Sequence, residues 1–289
     1  MKRARTGLRA RWIHGLPAFL FERESGRYAR VLLWVVLAVA IWLSLEASLE
    51  WSVVPKGTFV SVLGWLVPGE GWGSPWLLYL TRFLIWTGAA LWLAGPAVLR
   101  CTAAWMAVAG MLLLGSVYWE NLPWFRHKYV PPFWLLLILA LREHAEKDPR
   151  LAPRWVREGA VFVLATFYGG AGIAKLLESG FPWCDGVALQ LWFWQLGDKT
   201  SLLRTWVIAN APFAQFLAIG AILLEVGSLL AIPFPRIRAP LGIGLLVMHG
   251  CIDRVFHIDF RSNMLLIATI LFPWASRNTE EPSTQRDGH

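Results

Sequence analysis

Runs of roughly 17 to 25 apolar residues recur along the chain, and a run of that length suits a helix that crosses the hydrocarbon core of a bilayer. They fall near residues 30–48, 75–94, 100–119, 129–141, 156–177, 212–232, 239–257 and 263–275. The fourth and eighth are short, a length shared by half-spans, re-entrant segments and buried helices. Backbone polar groups inside a bilayer must be satisfied within the segment itself. The expected fold class is therefore all-α, a polytopic membrane helix bundle of about eight spans, with six to eight as the range. Composition agrees, because 56% hydrophobic residues, 19 Trp and only 16% charged residues in 289 are too apolar for an ordinary soluble domain.

Charge then orients the spans. The first 30 residues hold Lys2, Arg3, Arg5, Arg9, Arg11, Arg23, Arg27 and Arg30, and the linker after the fourth run holds Arg142, Lys147, Arg150, Arg154 and Arg157. With Arg100, Arg236, Arg238, Arg277 and Arg286, 18 of the 27 Lys and Arg fall on one side. The opposite loops carry Lys56, Arg126, Lys128, Lys199, Arg204 and Arg261. The positive-inside bias thus predicts an even number of spans with both termini in the cytoplasm, in a cell (inner) membrane. A sequence pI near 9.8 is common among nucleic-acid binders, but the basic tracts flank apolar spans and no recognition motif accompanies them, so lipid is the expected contact and nucleic acid is not.

Three regions follow from this reading: residues 1–29 as a basic amphipathic cytoplasmic segment, 30–275 as the transmembrane domain, and 276–289 as a disordered cytoplasmic tail. In the first, Trp12, Ile13, Leu16, Phe19 and Leu20 alternate with arginines in the manner of an interfacial helix, with a disordered basic tail as the alternative. The first span lacks a small-residue cleavage site and reads as a retained anchor. Residues 49–74 are rich in Gly and Pro, and 178–211 carry Trp183, Trp192, Phe193, Trp194 and Trp206; the latter predict one or two interfacial helices over the outer mouth of the bundle. Cys101, Cys184 and Cys251 form neither a disulfide framework nor a metal spacing, though a Cys184–Cys251 bond is conceivable.

The ionisable residues in and beside the spans carry the functional signal. Lys175 ends the fifth run, where a buried ammonium costs roughly 2.5 to 3.5 kcal/mol at a helix centre and less toward its ends, which makes it a functional candidate. Its alternative is a snorkelling lysine with Glu178 as an i+3 partner. His127 precedes the fourth run, and His249, Asp253, Arg254 and His257 follow one another along the outer half of the seventh. A His-x3-Asp-x3-His string spans about 12 Å of helix, too far for both imidazoles to hold one ion, so no metal is expected. Glu225 in the sixth run reads as a partner for Arg254 or a histidine, or as a substrate contact, and Arg82 as an outward-snorkelling residue.

The stretch Tyr168 to Gly186 contains Ala171, Gly172, Lys175 and Leu176, then Trp183 and Gly186, the pattern A-G-x-x-K-L followed by a tryptophan and a glycine. It resembles the membrane part of vitamin K-dependent gamma-carboxylase and its bacterial relatives, the horizontally transferred transmembrane (HTTM) proteins. His127 before Tyr129 resembles the family's histidine ahead of a transmembrane helix, and His249 followed by Phe260 and Met264 resembles its later histidine to Phe-Met stretch. The likeness covers residues 30–275, and is strongest from 165 to 270. Lipase-maturation-factor-like or quinone-interacting DoxX-like membrane proteins are the next resemblance.

The family resemblance implies that Lys175 is the catalytic base, with His127 and His249 orienting or polarising a reduced quinone of the vitamin K or menaquinone type. In that family a neutral lysine amine takes a proton from the hydroquinone, the oxygenated quinone deprotonates a glutamate, and carbon dioxide adds to the carbanion. Apolar neighbours favour such a neutral amine. Asp253, Arg254, His257, Glu225 and Trp183 are then the expected substrate contacts. The acceptor would be a peptide or a small molecule, at a site on the extracytoplasmic side. The family's large lumenal portion has no counterpart here, so a noncatalytic quinone-binding or structural subunit, with a membrane-protein partner, stands as the alternative.

Overall fold

The computed structural model describes residues 18–51, 75–121, 126–146, 148 and 151–272. Ten helices make up nearly all of it: α1 (Arg27–Trp51), α2 (Pro75–Ala94), α3 (Ala97–Asn121), α4 (Arg126–Ala145), α5 (Trp155–Ser179), α6 (Val187–Leu196), α7 (Leu202–Ala209), α8 (Ala211–Gly227), α9 (Arg238–Phe256) and α10 (Arg261–Leu271). Among the described residues six segments are long and apolar enough to cross a membrane: Arg27–Ala47, Trp76–Ala94, Ala97–Ser116, Trp155–Ser179, Ala211–Ala231 and Pro235–Phe256. Their outward faces carry large apolar side chains such as Trp34, Phe83, Phe162 and Phe216, as a lipid-facing surface requires.

The fourth and eighth expected spans depart from this group. The fourth is a full helix, α4, but Lys128 at one end and Arg142 and Glu143 at the other confine its apolar stretch to 129–141. The eighth is α10, whose 11 residues rise about 16 Å, roughly half of a hydrocarbon core. α10 buries Asn263, Leu266, Ile267 and Ile270 among α9, α5, α4 and α1.

Close helix packing is set by small residues. A Cβ on Gly88 would stand 2.8 Å from the Ala103 carbonyl oxygen, and one on Gly110 2.7 Å from Ile85, so α2 and α3 lie nearly backbone to backbone. Arg82 does not snorkel outward. Its Nε donates to the Ser44 carbonyl of α1 at 3.0 Å. The main core joins α1–α5 with α9 and α10. A smaller one, built on Phe193, Val207, Ala214 and Val255, unites α6 and α7 with α8 and the end of α9.

At the start of α1 a two-stranded antiparallel sheet pairs β1 (Arg23–Ser25) with β2 (Leu151–Pro153), Glu24 opposite Ala152. Ala18–Phe21 is a 3-10 turn, so Phe19 and Leu20 do not continue an interfacial helix, while Trp12, Ile13 and Leu16 lie outside the described residues, as do residues 273–289. The α1 helix begins at Arg27, inside the segment expected to end at residue 29.

Candidate functional site

On α5 the buried positions Val161, Leu164, Ala165, Tyr168, Gly169 and Gly172 form one stripe at helical spacing, and Lys175 is the next position along it. The side chain is therefore directed into the bundle. On α8 the buried positions Ala214, Ala218, Ile222 and Glu225 form the facing stripe. The two helices run antiparallel, with Ser228 Oγ donating to the Ala165 carbonyl at 2.8 Å and the Gly169 position filled by Leu229. This register brings Lys175 Nζ to 2.5 and 2.7 Å from the two Glu225 carboxylate oxygens. Glu225 partners Lys175, and not Arg254 or a histidine as the sequence suggested. Glu178 points outward from the exposed side of α5 and plays no part.

Glu225 is almost fully enclosed, its side chain 8% exposed, while that of Lys175 is 33% exposed. Two charges removed from water attract strongly, and the pair places an ammonium where a lone lysine would be costly. Over the ammonium stands Trp183, with its ring centroid 5.6 Å from Nζ. Trp183 lies in the 3-10 segment Phe181–Asp185, between Gly180 (φ 65°) and Gly186 (φ 84°), two left-handed positions that favour glycine. A Cβ on Gly186 would stand 2.4 Å from the Gln215 backbone nitrogen, so the loop also lies flush on α8.

Beside this pair, His249 on α9 is buried between two rings, Tyr168 at 5.1 Å and Phe260 at 4.6 Å, both edge to face. Its Nδ1 lies 2.8 Å from the Leu245 carbonyl. A carbonyl only accepts, so Nδ1 carries the proton and Nε2 keeps the lone pair. Lys175 is close enough for its charge to act on this imidazole.

The other expected contacts scatter. The polar row His249, Asp253, His257 is broken because α9 ends at Phe256 and His257 turns into the left-handed region (φ 54°). His257 is 70% exposed and its Nε2 lies 3.2 Å from Asp198 Oδ2, on the connection between α6 and α7. Arg254 is exposed, and Asp253, half-buried, faces the charge of Arg261. His127 belongs to the first turn of α4, and its side chain lies outside the described residues. The cysteines at 101, 184 and 251 are free, and no group of three potential metal ligands occurs among the described residues.

A second charged pair escaped the sequence reading, which placed Lys128 in a loop. Lys128, 1% exposed, donates to Glu46 Oε1 at 2.6 Å and joins α4 to α1. The helix runs back past Pro131 and Pro132 to Arg126, which takes Lys128 out of the loop.

The helices α6 and α7 are clamped reciprocally. Arg204 donates to the Phe193 and Trp194 carbonyls at 2.9 and 3.1 Å, closing the end of α6, and Gln190 Nε2 donates to Val207 and Ile208 at the end of α7. The unit rests on the first half of α8.

Compared with protein-family models, with curated proteins and with solved structures, the chain matches none.

Proposed function

We propose that the chain is a multi-pass membrane enzyme of the gamma-carboxylase-like (HTTM) kind, about eight membrane segments with both termini cytoplasmic. On this reading a lysine base at an extracytoplasmic site, with a reduced quinone, O2 and CO2, deprotonates and carboxylates a peptide or small-molecule acceptor. The observation that carries it is the convergence of Lys175, Glu225, Trp183 and His249 at one end of the bundle.

The surroundings suit a lipid-borne ring. Trp183 offers an aromatic face beside Lys175, and Ile173, Leu177 and Phe181 expose apolar surface at the same end of the chain. When bound, a reduced quinone supplies an ionisable ring hydroxyl. At rest Lys175 is an ammonium held by Glu225. To serve as a base it hands its proton to Glu225 across the short contact, leaving a neutral amine beside a neutral carboxylic acid with little net charge displaced. His249, through Nε2, accepts a hydrogen bond from a ring hydroxyl, and His127 takes the orienting role that the resemblance gives it.

The ion pair also favours a second reading, a noncatalytic quinone-binding or structural subunit in which Lys175 stays protonated and merely ties α5 to α8. Oxygen-dependent conversion of reduced menaquinone or vitamin K to its epoxide by the purified protein decides between them. Epoxide formed by the native chain and lost in Lys175→Ala supports the enzyme. Absence of epoxide from the native chain, with glutamyl peptides and bicarbonate supplied, overturns it.

A further inference from the structure

At the other end of α5, about 27 Å from Lys175 along the helix, the bundle holds a cavity of about 400 Å3. Four guanidinium groups line it, those of Arg154, Arg157, Arg236 and Arg238, against two carboxylates, Glu24 and Glu158. Both carboxylates are already neutralised. Glu158 accepts from Arg238 at 2.6 Å, and Glu24 from Arg157 at 2.9 Å; Arg154 lies between Glu22 at 3.3 Å, Glu24 at 3.7 Å and Glu158 at 3.9 Å. Arg236, on the exposed 3-10 turn Pro235–Ile237, makes no ion pair among the described residues. The cavity therefore keeps an excess of positive charge.

Two further observations point to an anionic occupant. The hydroxyl of Tyr28, which lines the cavity, is buried and has no hydrogen-bond partner, a costly state for a polar group that nothing fills. In addition, the Nε of Arg154, another lining residue, is enclosed and donates no hydrogen bond, the Glu24 and Glu158 carboxylates standing 3.7 and 3.9 Å away. The opposite wall is apolar, formed by Ile270, Leu271 and Phe272 at the end of α10. One end of the space thus suits a phosphate and the other a hydrocarbon chain.

We propose that this cavity binds a phosphate ester, with the headgroup of an anionic phospholipid as its source: Arg236 and Arg157 face the phosphate, Tyr28 donates its hydroxyl to it, and the acyl chains lie along Ile270, Leu271 and Phe272. The depth agrees, because the starts of α1, α5 and α9 all meet here, where three membrane-crossing segments enter the bilayer. The proposal is independent of the chemistry at Lys175.

The full-length protein, purified in a neutral detergent, is titrated with phosphatidylglycerol, with phosphatidylcholine and with soluble glycerol phosphate, and bound ligand is counted by native mass spectrometry. Phosphatidylglycerol is expected to bind more tightly than phosphatidylcholine, with an affinity that falls as salt rises. Arg236→Gln is expected to weaken it about fivefold, one exposed basic contact near a headgroup. Tyr28→Phe, which keeps the ring and removes only the hydroxyl, is expected to weaken it by a similar factor. Displacement of the lipid by glycerol phosphate identifies a general phosphate-ester site, and failure to displace it identifies the lipid. Equal affinity for the two lipids, or native affinity in both variants, overturns the proposal; Arg236 has no partner to lose, so its replacement leaves the fold intact.

Discussion

Gly172 of α5 lies against Glu225 of α8 so closely that a Cβ built on the glycine would stand 2.8 Å from the Glu225 Cβ and 2.8 Å from Val226 Cγ2. The glycine is what lets the two backbones approach until Lys175, one turn further on, reaches the carboxylate. Gly172→Ala is expected to push α8 away, cost about 1–3 kcal/mol and part the ion pair. Gly170→Ala, two residues earlier on the exposed side with nothing within 4 Å, is the control, expected to be neutral or to stabilise by up to about 1 kcal/mol. Thermal unfolding of the two variants in detergent separates them.

The ion pair is lopsided in burial, and its mutants should be lopsided in stability. Lys175→Ala leaves the enclosed Glu225 without a counter-charge and is expected to cost roughly 2–4 kcal/mol. Glu225→Gln leaves an ammonium already one third exposed, which turns toward water, at a cost of about 1 kcal/mol. Lys175→Met combined with Glu225→Leu should recover most of the loss. Unfolding midpoints of the two single variants and the double variant form the cycle, and equal costs for the two single changes would contradict the burial argument.

Much of the fold was legible because burial in lipid leaves a continuous apolar run, and such runs need no partner to be read. The pairings were not legible, because they join residues far apart in the chain. Lys175 and Glu225 are 50 positions apart, and Lys128 and Glu46 are 82. The local alternative, Glu178, fails on helix geometry: it turns to the exposed side while Lys175 continues the buried stripe. A signal was nevertheless present in Ala165, Gly169 and Gly172, whose spacing marks the face of α5 that another helix approaches most closely. His257 was misplaced for a different reason, since four-residue spacing implies one face only while the helix continues, and α9 stops one residue short of it.

Acid should loosen the connections at the Lys175 end. Asp198 is held below the ordinary carboxylate range by hydrogen bonds from the Thr200 backbone N–H and hydroxyl, and by His257. Partial burial works to raise Asp259, but the hydrogen bonds from Arg261 outweigh it and bring it below that range as well. A depressed folded value means that the stabilisation is present above the unfolded value of about 3.9 and is lost as pH falls through the lower folded one. Proteolysis at residues 197–201 should therefore stay flat from neutral pH to about pH 4 and increase below it. Asp198→Asn should flatten that increase.

Arg204 closes the end of α6 with two charge-assisted hydrogen bonds, so Arg204→Ala should release α6 and α7 before the main bundle. The expected loss is about 1–3 kcal/mol, confined to that unit. Hydrogen exchange should quicken in residues 187–209 while α1 to α4 keep their protection. Uniform quickening across the chain would show instead that this unit and the bundle unfold together.

The two left-handed glycines on either side of Trp183 make that residue kinematically separate from the lysine it covers. Lys175 belongs to α5 and the main core, and the unit beyond Gly186 belongs, through Phe193, Val207 and Val255, to the smaller core with α8 and the end of α9. Five residues on two swivels bridge the two cores, and the tryptophan rides on the bridge. Both groups that meet the ammonium are therefore set by α8: Glu225 belongs to it, and the loop that carries the indole is seated on it at Gly186. One helix thus fixes both the counter-charge of Lys175 and the cover above it.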